Sequence, residues 1–265
     1  MDCVEHGPGE ATVVCQHIVS GVARAFVSDE PTAEDRWPDA WCERCEEVLT
    51  DEGGWNPSSE GFADLHVLCH RCYERRRRTL HRPPPDIPGD DPLLRFTYSC
   101  GECAEVHRGL PCWGADAPAY WHQLDDLARQ RGTLTGDTCV ADGHHFVRGR
   151  LEIPILGSHE WWSWGVWASL GEESYQRSQE LWHDPERDRQ PPYFGWFSTH
   201  LPTELYPETL HLKCAVHERP PGERPLIILE PTDHPLAIDQ REGISLERAR
   251  AMAETLLVGS GGAIL

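Results

Sequence analysis

The chain has 265 residues, 39% of them hydrophobic and 26% charged, which is long enough for two domains that each bury a core. Its 44 Asp and Glu against 24 Lys and Arg give a formal net charge of −20, which argues against a surface built to bind phosphate and so against nucleic acid as a partner. No apolar run approaches a bilayer span, and the start, Met1-Asp-Cys-Val-Glu-His6, has neither a basic nor an apolar region, so the expectation is a cytoplasmic protein with no membrane association.

Eleven cysteines are present, and six of them fall in Cys-x-x-Cys pairs: Cys42/Cys45, Cys69/Cys72 and Cys100/Cys103. That distribution points to metal in a reducing compartment rather than to disulfides.

The first domain is expected over residues 1–82. It opens with Cys3-x-x-His6 and Cys15-x-His17, then carries Cys42-Glu-Arg-Cys45 and, after 23 residues, Cys69-His-Arg-Cys72. Two Cys-x-x-Cys pairs at this separation have the spacing of a closed four-thiolate zinc site, because each pair puts two sulfurs on one tight turn. A closed site offers no position to a substrate, so the motif concerns folding rather than catalysis. Cys3, His6, Cys15 and His17 supply a second set of four ligands. The four pairs can also be wired crosswise, first with third and second with fourth. The preferred grouping puts Cys42, Cys45, Cys69 and Cys72 on one ion, because the last pair opens a helix over 73–80 whose first N–H groups favour thiolates. Arg75 to Arg78 are expected to offset the negative site, with His66 and His70 outside the ligand shell. Trp37, Trp41 and Trp55 are expected to cover the metal loops. The Cys-x-x-His start and the Asp39-Ala-Trp-Cys-x-x-Cys45 centre resemble small bacterial zinc-finger proteins, a resemblance that implies no activity.

Residues 83–94 are proline-rich and read as a semi-rigid spacer. The second domain is expected over 95–258. It begins with Cys100-Gly-Glu-Cys103, His107 and Cys112, one residue short, in its middle gap, of the zinc knuckle that binds nucleic acid. Cys100, Cys103 and His107 are candidate ligands of a further zinc, the alternative being a metal-free turn. A helix is expected from Pro118 to Arg131, then strands at 147–155, 162–170, 193–198, 209–217 and 226–230. Helices over 172–183 and 245–257 complete the pattern, and 259–265 reads as a flexible tail. The fold expected is α+β: a largely antiparallel sheet with flanking helices, preceded by a small zinc-binding domain.

The run from Phe96 to Leu257 resembles the bacterial family catalogued as domain of unknown function 2199. The matching motifs are Cys100-x-x-Cys103-x-x-x-His107-x-Gly-Leu-Pro111, Asp116-Ala-Pro118, Arg148-Gly-x-Leu-Glu-Ile-Pro154, Trp164-Gly-Val-Trp-x-Ser169-Leu, Phe194-Gly-Trp196, Arg224-Pro225 and Asp233-His-Pro-Leu236. The resemblance implies a family and no activity.

Nucleophile-elbow, phosphate-loop, metalloprotease and dinucleotide motifs are all missing from the sequence. Arg148, Arg150 and Glu152 on one strand and His211, Lys213 and His217 on another form a polar face if the two strands adjoin. Asp233, His234, Pro235 and Gln240 make a second polar candidate, with a backbone-capping turn as the alternative. Cys139 and Cys214 read as small buried residues, and the tryptophans of 161–167 as core and sheet-face packing, with a docking surface as the alternative if Trp161 and Trp167 are exposed. Two functions follow: a zinc-stabilised, non-enzymatic interaction or regulatory protein of an accessory or immunity type, with a protein partner, or a small-molecule binder or enzyme using the Arg/His/Glu face.

Overall fold

The structure, a computed structural model, describes residues 1–80, 96–101, 105–158 and 160–264. The chain divides into two compact units, Met1–Ile87 and Pro88–Leu265. The expected spacer lies outside the described residues.

In the first unit β1 (Asp2–Cys3) and β2 (Gly7–Pro8) pair as a short hairpin. There follow β3 (Ala11–Cys15), α1 (Gln16–Ser20), β4 (Val27–Ser28), β5 (Ala40–Trp41), α2 (Glu43–Glu52), α3 (Pro57–Ala63), β6 (Leu65–Cys69) and α4 (His70–Leu80). One sheet has the order β4-β5-β3-β6. In it β6 runs antiparallel to β3, setting Cys15 against Leu65 and Cys69 against Ala11, whereas β5 runs parallel to β3 with Ala40 against Val14. Strands β3, β5 and β6 each lead directly into a helix, α1, α2 and α4 respectively. The buried apolar set is thin, with Val14, Ile18, Leu49, Tyr73 and Leu80 as its larger members. So small a core needs a further constraint to hold it.

The second unit contains β7 (Thr97–Ser99), β8 (Val106–Arg108), β9 (Trp113–Gly114), α5 (Ala119–Gln123), α6 (Asp126–Arg131), β10 (Thr133–Leu134), β11 (Thr138–Ala141), β12 (His144–Pro154) and β13 (Trp161–Leu170). It continues through α7 (Glu172–Glu180), β14 (Tyr193–Phe197), β15 (Lys213–His217), β16 (Leu226–Leu229), α8 (Pro235–Glu242), α9 (Leu246–Ser260) and β17 (Ala263–Ile264). Strands β12 to β16 form an antiparallel meander, and β16 returns to pair with β12, where Arg150 meets Leu226. The five strands therefore close into a barrel. Their number is odd and their directions alternate, so the closing pair has to be parallel, as it is. The largely antiparallel sheet of the sequence reading is this barrel, extended by β10, β11 and β9.

Alternation along the strands decides what goes inside. Val147, Leu151 and Ile153 of β12 face Ala168, Trp164 and Trp162 of β13 in register, and Val216 of β15 faces Ile227 of β16. All join one buried cluster with Phe197, Cys214 and Leu229, capped by Ala249, Met252, Ala253 and Leu257 of α9. Gly149 lies at the closing seam. A Cβ there would stand 2.7 Å from the Ile227 side chain and 2.8 Å from the Pro225 carbonyl, so only glycine lets β12 and β16 approach.

Three local expectations are corrected. The single helix over 118–131 is two, because the Asp125 side chain accepts from the Ala128 N–H and starts α6 afresh. The closing helix runs through Gly259 and is capped at Gly261 with φ 76°. The tail is not loose at its end, since β17 pairs with β7, setting Ala263 against Ser99.

Candidate metal centres

Two groups of four ligand atoms come together in the first unit: Cys3, His6, Cys69 and Cys72, and Cys15, His17, Cys42 and Cys45. The atoms of each group lie within 4.8 Å of one another. The pairs are thus nested, first with fourth and second with third. This corrects the preferred grouping, in which Cys42, Cys45, Cys69 and Cys72 shared one ion, and it differs from the crosswise wiring as well. Strand direction is the reason. Because β5 is parallel to β3, Cys42 emerges at the same end of the sheet as Cys15. Because β6 is antiparallel to β3, Cys69 emerges at the other end, where the β1–β2 hairpin brings in Cys3 and His6.

The distances fit a tetrahedral ion. Bonds of about 2.3 Å to sulfur and about 2.0–2.1 Å to nitrogen give S–N edges of about 3.5 Å and S–S edges of about 3.8 Å. In the first group the His6 Nδ1 stands 3.5 Å from each of the Cys3, Cys69 and Cys72 sulfurs, and the Cys3 and Cys72 sulfurs are 3.9 Å apart. In the second, His17 Nδ1 is 3.3 Å from the Cys45 sulfur. Both groups have three thiols and one imidazole, in place of the four-thiolate and mixed sets expected.

The electrostatics call for a cation. Hydrogen bonds from Cys42 and Cys45 pull the Cys15 thiol down to about 3, while the same contacts, with Cys15 and Cys42, push Cys45 far up. Crowded thiols of this kind cannot all ionise unless a positive ion joins them. Cys15 and Cys42 sit at the N-cap positions of α1 and α2, and Cys69 directly precedes α4, so each thiol lies by the N–H groups of a helix start. Around the first group Arg75 bridges outward, 3.9 Å from the Cys72 sulfur and 2.8 Å from Glu5. Arg76 instead donates to the Val19 carbonyl at 2.8 Å, so the arginine run does not act as a unit. Trp37 covers the His70 ring at 4.9 Å, and Trp41 meets Trp55 edge-on at 5.5 Å.

The Cys100/Cys103/His107 expectation falls partly on Cys103, which lies outside the described residues. Cys100 follows β7 and donates its N–H to the Glu105 carbonyl at 2.9 Å, and the His107 ring stacks on Tyr98 at 5.3 Å.

The polar face expected in the second unit is not formed. Strand β16 separates β12 from β15, and His211 precedes β15 rather than belonging to it. Glu152 is buried against Arg150 at 3.0 Å, with Arg219 at 3.9 Å, while Arg148 lies over the Trp167 ring. The second polar candidate resolves into backbone capping. His234 Nδ1 accepts from the Leu236 N–H at 3.2 Å, and Gln240 both donates to Ile227 O and accepts from Leu229 N, extending the ladder at β16. Cys139 and Cys214 are buried, which pushes their thiols up to about 11 and about 12. Trp167 is fully buried under Ala115, Tyr120 and Trp121 and offers no docking surface. Among the described residues of the second unit the exposed aromatics are instead Phe194 and Trp196, a signal carried by the Phe194-Gly-Trp196 alternation.

The fold and these two ligand sets define a two-part protein, a small module with paired candidate metal centres and a separate closed-barrel unit. The chain belongs to the family described as an uncharacterized protein conserved in bacteria (DUF2199), whose model matches residues 99–244. That span takes in the whole barrel and α8 and stops before α9. Comparison with curated proteins and with solved structures finds no match for the chain. Among the described residues, no helix is long and apolar enough to cross a membrane.

Proposed function

We propose that this is a zinc-stabilised binding protein without catalysis at its metal centres, acting as an interaction or regulatory factor of an accessory type on a protein partner. The observation that carries the reading is that each set supplies four protein ligands. Four ligands complete the tetrahedral shell that zinc prefers and leave no position for water or substrate. Thiolate-rich sets with one imidazole suit zinc among the common divalent ions. With three thiolates, a neutral imidazole and Zn²⁺, each centre carries a charge of about −1, which Arg75 partly balances at the first. Cys3, His6, Cys69 and Cys72 would hold one ion and Cys15, His17, Cys42 and Cys45 the other, cross-linking strand ends that the thin core cannot hold.

Elemental analysis of the purified chain tests the metal half of this reading, with zinc at two per chain as the expected result. Tagged chain recovered from its native host tests the rest. A stoichiometric protein partner is expected, and repeated recovery of the chain alone would count against an interaction role.

A further inference from the structure

The outer face of the barrel carries a groove that the metal centres do not explain. Neighbouring strands set Phe146, Ser169 and Trp196 in one row, Phe146 in register with Ser169 and Ser169 with Trp196. Helix α5 supplies one wall through Tyr120 and Gln123, and the turn before β15 supplies the other through Leu210 and His211. The groove is open on one side and its volume is about 380 Å³, within the range of roughly 300–1,000 Å³ usual for small-molecule sites.

The chemistry of the lining is narrow. Tyr120 packs on Phe146 with centroids 6.0 Å apart and edge-on against His144 at 4.7 Å, while Trp196 keeps 40% of its surface exposed, so an aromatic ligand would find unburied ring surface at Trp196. Among the described residues, no Asp, Glu, Lys or Arg lines the groove. The Ser169 and Ser198 hydroxyls both donate to the Trp196 carbonyl, at 3.5 and 2.9 Å. With their protons so committed, the two oxygens remain as acceptors.

His211 adds an independent mark. Its φ is +62°, in the left-handed region that residues other than glycine occupy at a cost. The surrounding turn holds it there: its N–H donates to Phe197 O at 2.9 Å, and Thr209 Oγ1 donates to Thr199 O at 2.7 Å while accepting from Leu201 N. Strain kept in place by such clamps, at the wall of a groove, is the pattern of a residue retained for its position.

We propose that this groove binds an uncharged, planar heteroaromatic molecule that stacks against Trp196 and donates N–H hydrogen bonds to Ser169 and Ser198. The lack of charged side chains disfavours phosphorylated or carboxylate-bearing compounds, whose desolvation would go uncompensated.

Titration calorimetry and saturation-transfer NMR on the full chain test this, with adenine and indole as neutral probes and AMP and benzoate as charged ones. Saturable binding of adenine or indole is expected, with no competition from AMP or benzoate. Trp196→Ala and His211→Gly should each weaken the neutral probe by about tenfold or more. Glycine accepts the positive φ without strain, so His211→Gly should not lower the melting temperature, which separates a lost contact from a lost fold. Absence of saturation by both neutral probes, equal binding of the charged ones, or unchanged affinity in both variants would overturn the proposal.

Discussion

Cys15 and Cys69 stand at opposite ends of one antiparallel ladder, Cys15 in register with Leu65 and Cys69 with Ala11. Four residues at about 3.4 Å each separate those ends by about 14 Å, far beyond the reach of a single ion. The two centres are thus clamps on the two ends of the same pair of strands. Each clamp adds a third element: α2 through Cys42 and Cys45, and the N-terminal hairpin through Cys3 and His6.

Metal removal should act on one unit only. A zinc chelator is expected to make residues of the first unit susceptible to protease while the barrel stays resistant, because binding free energy at structural thiolate sites is folding free energy. Acid should do the same, since the sulfurs and imidazoles must be deprotonated to ligate. Proteolysis followed by mass spectrometry reads the outcome, and cleavage spread evenly over both units would contradict it.

The buried Arg187–Glu218 pair should be worth more intact than broken. Both side chains are almost wholly buried, Ser178 Oγ donates to Glu218 at 2.6 Å, and Arg187 also donates to the Trp182 carbonyl at 3.1 Å. Replacing Glu218 by Gln or Arg187 by Met leaves one buried charge without its partner, at an expected cost of about 3–5 kcal/mol in denaturant unfolding. The double variant Arg187→Met/Glu218→Leu should recover a large part of that loss.

Closure of the barrel depends on Gly149. Gly149→Ala drives a methyl against Ile227 and the Pro225 carbonyl, which cannot move without parting β12 from β16. A loss of about 1–3 kcal/mol is expected, and Ile227→Val in the same chain should restore some of it. Equilibrium unfolding of wild type and the two variants decides the matter.

Stability should decline at high pH through Cys214 and Cys139. Burial raises both thiols from an ordinary 9.0, Cys214 to about 12 and Cys139 to about 11. Above pH 9 the unfolded chain loses these protons while the folded chain keeps them, so the unfolded state binds fewer protons and stability falls as pH rises. The contribution is whole below pH 9 and disappears through pH 11–12. Unfolding midpoints of wild type and Cys214→Ala across that window should converge as pH rises.

Ligand chemistry was legible in the sequence, and ligand grouping was not. Spacing marks Cys42/Cys45 and Cys69/Cys72 as turns, but whether two turns meet depends on whether their strands run parallel or antiparallel, which no local pattern records. The period of two in Val147, Leu151 and Ile153 gave the inward face of β12 correctly, yet barrel closure rests on a single glycine contact and on β16 returning to β12. Trp167 bears out the packing reading and not the docking alternative: it lies on the outer face by alternation and is buried all the same, under the segment from Ala115 to Trp121. His211 looked like a strand residue, and only its left-handed backbone shows that it lies in a turn.

The nested grouping is the central claim, and zinc counting in paired substitutions tests it most directly. Wild type should carry two zinc ions per chain, one for each group. Cys3→Ser/Cys69→Ser should lose no more zinc than Cys3→Ser alone, because both ligands serve one ion, whereas Cys3→Ser/Cys42→Ser should lose both. If Cys3→Ser/Cys69→Ser empties both centres while Cys3→Ser empties one, the four pairs are wired differently and the account is wrong.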